Sequence, residues 1–340
     1  MQDNMLKAYL KWKELSEMGV ELANQTDFGR IANVLEGFRR VYVVGVGGSG
    51  IVGMFLSGLS SVGAVKVPIV SHQGFELPGP LDSSTLVIAI SYSGNTIETL
   101  YAIRKALEKR TPIVGITSGG KLGSVLDSSP YSVVIKLPTG LLPRVSFPLM
   151  LFSALQAIKR LDLLERELDL ESACKVFENV NDALSSSQGL CKVLSEGDRI
   201  PVFVTCTPYY SVALRFHDEL AENTKLLSFI EILPNSGHNS VVAWRRLKGG
   251  LEKVFTLVTL QGSVKYCKHA IDAFYRALGS DAGYTIVLKG GNFLEEVLWG
   301  AWIAGVSSVK LAQMFGVKAE DTPEITSYRK ALVETLSEGF

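Results

Sequence analysis

Three aliphatic hydroxyls fall within the six residues Ser91-Tyr92-Ser93-Gly94-Asn95-Thr96. They follow the apolar run Thr85–Ile90 and lead into a helical pattern over Thr96–Lys109. At the carboxyl end of a buried strand, Ser91, Ser93 and Thr96 can donate to phosphate oxygens without carrying charge. The N–H groups that open the next helix add the positive end of its dipole. Asn95 or Thr96 suits the cap, and Glu98 suits the first turn. One such hydroxyl would read as an ordinary serine turn. Three of them, beside a second glycine-rich loop, read as a phosphate cup.

That second loop is Gly45-Val46-Gly47-Gly48-Ser49-Gly50. It matches G-x-G-x-x-G between a strand and a helix, the setting of a dinucleotide site. Such a site also needs an acid at the end of the following strand to hold the ribose hydroxyls. Ile51 to Phe75 contains no Asp, Glu or Arg. The expectation is therefore an anion site in which Gly48 and Ser49 take part, without a nicotinamide. No other cofactor is expected. Cys174, Cys191, Cys206 and Cys267 form no C-x-x-C, which is neither a zinc spacing nor a disulfide framework. They read as buried, reduced thiols.

The elements that must position these loops are legible from periodicity. Leu6, Leu10, Trp12 and Leu15, then Ile31 and Leu35, have helical spacing. Apolar runs at Val41–Val46, Val67–Val70, Thr85–Ile90, Pro112–Ile116 and Ser132–Leu137 alternate with helical patterns. Strands apolar on both faces and separated by helices predict a doubly wound parallel sheet. Long helices are expected from Phe147 to Leu194, with a junction in the charged stretch Lys159–Glu171. The alternation then restarts. Strands are expected at Ile200–Thr205, Leu226–Ile232, Val254–Leu260 and Tyr284–Leu288, and helices at Pro208–Asn223, Val264–Leu278, Phe293–Phe315 and Ile325–Leu336. The fold class is α/β, with two doubly wound parallel-sheet domains and flanking helices. The segments are 1–36 (N-terminal helices), 37–160 (first domain), 161–196 (connecting helices) and 197–340 (second domain).

Bulk properties fit this division. The chain has 340 residues, enough for two domains. Thirty-four basic residues balance thirty-four acidic ones, which argues against a nucleic-acid partner. The longest apolar segment, Phe147–Ile158, is far short of the ~20 residues of a membrane span. There is no signal-peptide core, so a cytoplasmic location is expected.

The two loops and several later segments resemble a known family. Ser91–Leu100 (SYSGNTIETL) is similar to the phosphosugar motif of sugar isomerase (SIS) domains. Together with Gly45–Gly50 it resembles the first domain of archaeal bifunctional phosphoglucose/phosphomannose isomerases. Pro143-Arg144 resembles that family's Pro-Arg, and Glu222-Asn223-Thr224-Lys225 its Glu-Asn-Ser-Lys. His238-Asn239, with Trp244 beyond, resembles its His-Asn segment. The resemblance implies two SIS domains and a homodimer with a shared active site. Two departures stand out. Pro234-Asn235 replaces the family's Pro-Glu. The slot of the terminal lysine holds Arg329, with Lys330 beside it, and either could face the site.

The second half then supplies the chemistry. Aldose–ketose isomerisation moves one proton between adjacent carbons through a cis-enediol and needs one base. The resemblance assigns that base to Glu222; the competing reading is a surface Glu222–Lys225 pair at i, i+3. Glu219 is the next carboxylate to consider. Of the four histidines, His238 lies among turn residues, and histidine is the residue type suited to the proton transfers of ring opening near neutral pH. A second subunit could supply it. His217 and His269 read as structural or solvated, and His72 has no evident partner. Arg144 could stabilise enediolate charge, or form an interdomain salt bridge. The expected activity interconverts fructose 6-phosphate with glucose 6-phosphate and mannose 6-phosphate. The catalytic set is Glu222, His238, Arg144 and Lys330; phosphate binding falls to Gly48, Ser49, Ser91, Ser93 and Thr96. Two rivals are weaker. The isomerase part of a glucosamine-6-phosphate synthase would bring an N-terminal cysteine, and residue 2 is Gln2. A sugar-phosphate sensor would bring a DNA-binding module, which 36 acid-containing residues do not resemble.

Overall fold

Apolar β-branched runs become strands, and the glycine-punctuated segments between them become helices. The computed structural model describes residues 2–32, 37–165, 168–197, 199–247, 250–281 and 283–338. Leu35, the segment limits at residues 1, 36 and 340, and part of the charged Lys159–Glu171 stretch lie outside them. The first half runs α1 (Gln2–Leu10), α2 (Trp12–Gln25), α3 (Gly29–Ala32), β1 (Arg40–Val44), α4 (Gly50–Ser61), β2 (Ile69–His72), β3 (Thr85–Ile90), α5 (Ile97–Glu108), β4 (Ile113–Thr117), α6 (Gly120–Asp127) and β5 (Ser132–Lys136). Then come α7 (Phe147–Arg160), α8 (Leu170–Cys174), a 3₁₀ turn (Lys175–Glu178) and α9 (Val180–Ser195). The second half runs β6 (Ile200–Cys206), α10 (Tyr210–Glu219), a π turn (Leu220–Thr224), β7 (Phe229–Leu233), a 3₁₀ turn (Asn235–His238), α11 (Ser240–Arg246), α12 (Leu251–Val254), β8 (Phe255–Gln261), α13 (Lys265–Leu278), β9 (Tyr284–Val287), α14 (Phe293–Phe315) and α15 (Pro323–Glu338).

Both sheets are parallel throughout. Their orders are β2-β1-β3-β4-β5 and β7-β6-β8-β9, so each reverses direction beside its first strand. In open α/β sheets ligands bind at that reversal, outside the carboxyl ends of the strands. The register sets it up: Val44 pairs with Ala89, so the Gly45 loop and the Ser91 loop leave the first sheet side by side.

Three local readings change. The helix expected over Pro208–Asn223 is regular only to Glu219 and widens into the π turn. Lys225 then takes a left-handed backbone, φ 61°, and the following strand starts late, at Phe229. Asp162, also left-handed at φ 55°, interrupts the long helical stretch after α7. The N-terminal helices are not an appendage: α2 packs on α7 and α1 on α14. Tyr9 and Trp12 are fully buried in the apolar core that runs through both halves with Phe147, Phe177 and Trp302. The limits 37–160 and 197–340 stand as a proposed division. Residues 326–331 of α15 are all exposed. Among the described residues, no helix is long and apolar enough to cross a membrane. All four cysteines are free and buried.

Candidate active site

The cup expected to hold phosphate is built from two loops that hold each other. Gly48 packs so closely on the next segment that a Cβ there would lie 2.9 Å from the Arg144 nitrogen. Gly94, at φ 68°, has no room for a side chain against Gly119. Ser49 Oγ accepts the N–H of Tyr92 at 3.2 Å and donates to Met150 Sδ at 3.6 Å. Ser91 Oγ lies 2.9 Å from Thr96 Oγ1 and accepts the N–H of Gly94 at 3.1 Å. Ser49 and Ser91 are therefore buried ties that shape the cup. Ser93 is exposed and Thr96 half-buried, so theirs are the hydroxyls turned toward solvent, although Ser93 Oγ also accepts the N–H of Asn95 at 3.3 Å and Thr96 Oγ1 shares the bond with Ser91. Thr96 sits at the N-cap of α5 without a side-chain cap bond. The N–H groups of Gly48 and Ser93 have no acceptor among the described residues. Free N–H groups at a helix N-terminus form an anion site.

Tyr92, absent from the sequence reading, couples this cup to the catalytic candidates. Its hydroxyl donates to Pro138 O at 2.8 Å and accepts the N–H of Leu141 at 2.9 Å. That pins the segment leading to Arg144. The signal for it was only a large residue in the middle of a serine loop.

Arg144 is nearly buried, its side chain 6% exposed, and all three guanidinium nitrogens donate. Nη1 reaches Glu222 Oε2 at 2.8 Å, Nε reaches Asn223 Oδ1 at 2.8 Å, and Nη2 reaches Ala319 O at 2.9 Å. Glu222 is 23% exposed, and its Oε1 accepts no hydrogen bond among the described residues. The surface Glu222–Lys225 pair does not form. Lys225 Nζ donates instead to the backbone carbonyls of Glu222 and Lys318, at 2.5 and 3.2 Å. Burial, then the Arg144 charge, lower the pKa of Lys225.

Behind Arg144 lies a buried polar network. Asn223 Nδ2 donates to Glu219 Oε2 at 2.7 Å, to Ser308 Oγ at 2.8 Å and to Tyr9 OH at 3.3 Å. Tyr9 OH donates to Glu219 Oε2 at 2.6 Å. Arg215 pairs with Glu219 and donates to the carbonyl of Arg144 at 2.6 Å, its guanidinium lying over Phe147 and Trp12. Glu219 is 1% exposed; sealed among these partners, it is a scaffold and not an open base. Burial pushes the Tyr9 hydroxyl and the Glu219 carboxyl upward. Asp218, one turn before Glu222, makes no hydrogen bond among the described residues. Burial, reinforced by Glu222 and Glu219 and opposed by Arg215, pushes its carboxyl up to about 7.

The structure does not bring every candidate together. His238 ends the 3₁₀ turn, exposed and without a side-chain hydrogen bond among the described residues. Its loop is anchored where Glu231 accepts from Ser240 Oγ at 2.6 Å and Trp244 Nε1 at 2.7 Å. Lys330 is 79% exposed on α15, facing Glu334 at 3.9 Å, and Arg329 is exposed beside it. None of the three bonds to the Glu222–Arg144 pair. His217 has the structural place expected of it, with Nδ1 2.9 Å from Ser228 Oγ.

Comparison with known proteins gives the family. The SIS domain model matches residues 35–129, and the model of the bacterial phospho-glucose isomerase C-terminal SIS domain matches residues 185–332. A bifunctional phosphoglucose/phosphomannose isomerase of Aeropyrum pernix is 33% identical over 91% of this chain and 93% of its own length. The chain belongs to the bifunctional phosphoglucose/phosphomannose isomerase family. Another member, from Pyrobaculum calidifontis, is 30% identical over 96% of this chain and all of its own. A relative from Sulfolobus acidocaldarius, 28% identical over 96% of this chain and 97% of its own, is a D-glucosamine-6-phosphate 4-epimerase. Among solved structures, the C-terminal domain of a glucosamine-fructose-6-phosphate aminotransferase from Francisella tularensis shares the fold. Its TM-score is 0.72 at 14% identity, over 94% of this chain and 100% of that one. Two SIS domains, each a parallel sheet with flanking helices, are thus the architecture.

Proposed function

We propose that the chain interconverts fructose 6-phosphate with glucose 6-phosphate and mannose 6-phosphate. The observation that carries this reading is the Glu222–Arg144 contact, 2.8 Å long, beside a cup with the hydroxyls of Ser93 and Thr96 and the N–H groups of Gly48 and Ser93, which have no acceptor among the described residues. The phosphate sits against Ser93, Thr96 and the N–H groups of Gly48 and Ser93, with Ser49 and Ser91 holding the loops. Glu222 takes the proton from one carbon and returns it to its neighbour. Its open Oε1 is the atom placed to do so, while Arg144 holds Oε2. Negative charge that develops on the enediolate oxygens meets a guanidinium already fixed by three bonds, so little reorganisation opposes it. His238 assists ring opening, and Lys330 or Arg329 lines the site. All three enter this reading as residues of a second copy, since within one chain none of them bonds to Glu222 or Arg144 among the described residues. The enzyme is then a homodimer that acts in the cytoplasm and draws on no cofactor.

The test is Glu222→Gln. The amide oxygen still accepts from Arg144, but the side chain cannot take a proton. Loss of a positioned base costs ~10²–10⁴-fold in rate. Both isomerase activities are expected to fall together, with affinity nearly unchanged. Solvent deuterium is expected to enter C2 of both aldoses formed by the wild type and of neither formed by the variant. The panel includes glucosamine 6-phosphate, because one relative acts on it. Near-normal turnover by the variant with either hexose phosphate would remove Glu222 from the reaction.

A further inference from the structure

The four-stranded second sheet repeats the order of the first four places of the five-stranded first sheet, so it has its own reversal point, between the loops after β6 and β8. In the first half the corresponding loops form the phosphate cup. In the second half the chain's own atoms fill that place. Glu296, in the first turn of α14, enters it with both oxygens. Oε1 accepts the N–H of Ser263 at 2.9 Å, and Oε2 accepts the hydroxyl of Tyr209 at 2.5 Å. The Tyr209 oxygen in turn accepts the N–H of Val264, the N-cap of α13, at 3.3 Å. Glu296 is 2% exposed and Tyr209 fully buried. Gly262 is what admits the tyrosine, since a Cβ there would overlap the Tyr209 ring.

Glu296 has no basic side-chain partner among the described residues. A buried carboxylate without a cation normally costs several kcal/mol. Here the chain just before α13 donates to it through the Ser263 N–H, Tyr209 adds a second donor, and the residue itself lies in the first turn of α14. Those are the groups that hold a free anion elsewhere. The two halves therefore differ at one point. At the reversal of the first sheet the N–H groups of Gly48 and Ser93 have no acceptor among the described residues, whereas at that of the second the N–H groups of Ser263 and Val264 already have one.

We infer that Glu296, with Tyr209, is an internal anion standing where the second SIS domain would otherwise take a phosphate, so that each chain carries one phosphosugar site. This rests on the reading that the Ser91–Thr96 cup binds phosphate. Three consequences follow. The second domain contributes Glu222 to the reaction but no phosphate cup. The cup fixes the orientation of the sugar without a competing site. And free anions have access to this place only when the carboxylate is removed.

The experiment uses the full chain. Calorimetric titration with a hexitol 6-phosphate, which has no carbonyl to isomerise, is expected to show one site per chain. Ser93→Ala/Thr96→Ala is expected to abolish it. Two sites per chain would overturn the inference. One site that survives the double variant would instead overturn the phosphate reading of the first cup. A second arm tests the plug directly. Glu296→Ala is expected to lower Tm, with recovery that saturates on adding formate or inorganic phosphate and not on adding sodium chloride at matched ionic strength. If the variant does not fold alone, its refolding in formate is the same measurement. Glu296→Gln keeps an acceptor for Ser263 and is expected to fold, to isomerise both hexoses and to ignore formate. A Glu296→Ala variant that no anion rescues would mean that the carboxylate is ordinary packing.

Discussion

Asn223 tests whether the buried network governs catalysis. It is fully buried, accepts from Arg144 Nε at 2.8 Å and donates to Glu219 at 2.7 Å and Ser308 at 2.8 Å. Asn223→Ala removes all of these and leaves a buried guanidinium N–H and a buried carboxylate oxygen short of a partner. Hydrogen bonds to charged groups contribute ~1.5–3 kcal/mol each. Two of them give a loss of about 3–6 kcal/mol, a large share of the ~5–15 kcal/mol that stabilises a typical domain. Arg144 keeps its bonds to Glu222 and Ala319 but loses the one that sets its plane. A misaimed guanidinium that forfeits even ~1.4 kcal/mol of transition-state stabilisation costs tenfold in rate. The assay is urea denaturation together with steady-state kinetics. kcat is expected to fall at least about tenfold while KM stays within about twofold, because the proposed phosphate contacts lie on other loops. Asn223→Asp sharpens the test. It retains the acceptor for Arg144 but sets a second carboxylate against Glu219, with Arg215 and Arg144 alongside, so one of the pair must keep a proton. A carboxyl pKa raised in the fold gives stability that is present below the unfolded value, near 4, and lost as pH rises through the folded one. The Asp variant is therefore expected to lose more stability at pH 8 than at pH 6. A loss below ~1 kcal/mol in Asn223→Ala with unchanged kcat would refute the positioning role.

Two further outcomes are expected. Gly48→Ala sets a methyl 2.9 Å from the Arg144 nitrogen and 3.0 Å from the Pro143 carbonyl carbon. Neither backbone can turn aside, so a stability loss of about 1–3 kcal/mol is expected from overpacking, along with reduced kcat/KM; thermal unfolding and kinetics check both. Asp218→Asn replaces a carboxyl pushed from 3.8 to about 7. The acid's stabilising neutral form is present below about pH 4 and lost as pH climbs through 7. The Asn variant is thus expected to be more stable than wild type at pH 8, by at most about 4 kcal/mol, with the gain vanishing near pH 4. A Tm difference independent of pH would contradict this.

What the sequence shows and what it hides follow from how far apart the interacting residues lie. Strands such as Thr85–Ile90 and helices such as Phe293–Phe315 declare themselves through local periodicity, and the two glycine loops through local turn chemistry. Partner choice is different. Glu222 has a cation three residues away, yet its carboxylate pairs with Arg144, 78 positions earlier. The reason is conformational. The π turn over Leu220–Thr224 and the left-handed Lys225 send the lysine amine to backbone carbonyls. They also let neighbours Glu222 and Asn223 reach a single guanidinium. No helical wheel drawn through Pro208–Asn223 contains that geometry. Tyr9 reaches Glu219 and Asn223 across more than 200 positions, so nothing local marks its part in the network. Residue type alone also misleads where burial decides the role. Ser49 and Ser91 carry the same hydroxyl as Ser93, but they are buried ties between the loops while Ser93 is exposed. The same holds between the halves. Both sheets end in loops with helix N-termini, and the composition of the loops does not distinguish an open cup from a closed one. What distinguishes them is the side chain at position 296, delivered by a helix more than thirty residues downstream of the loop it fills.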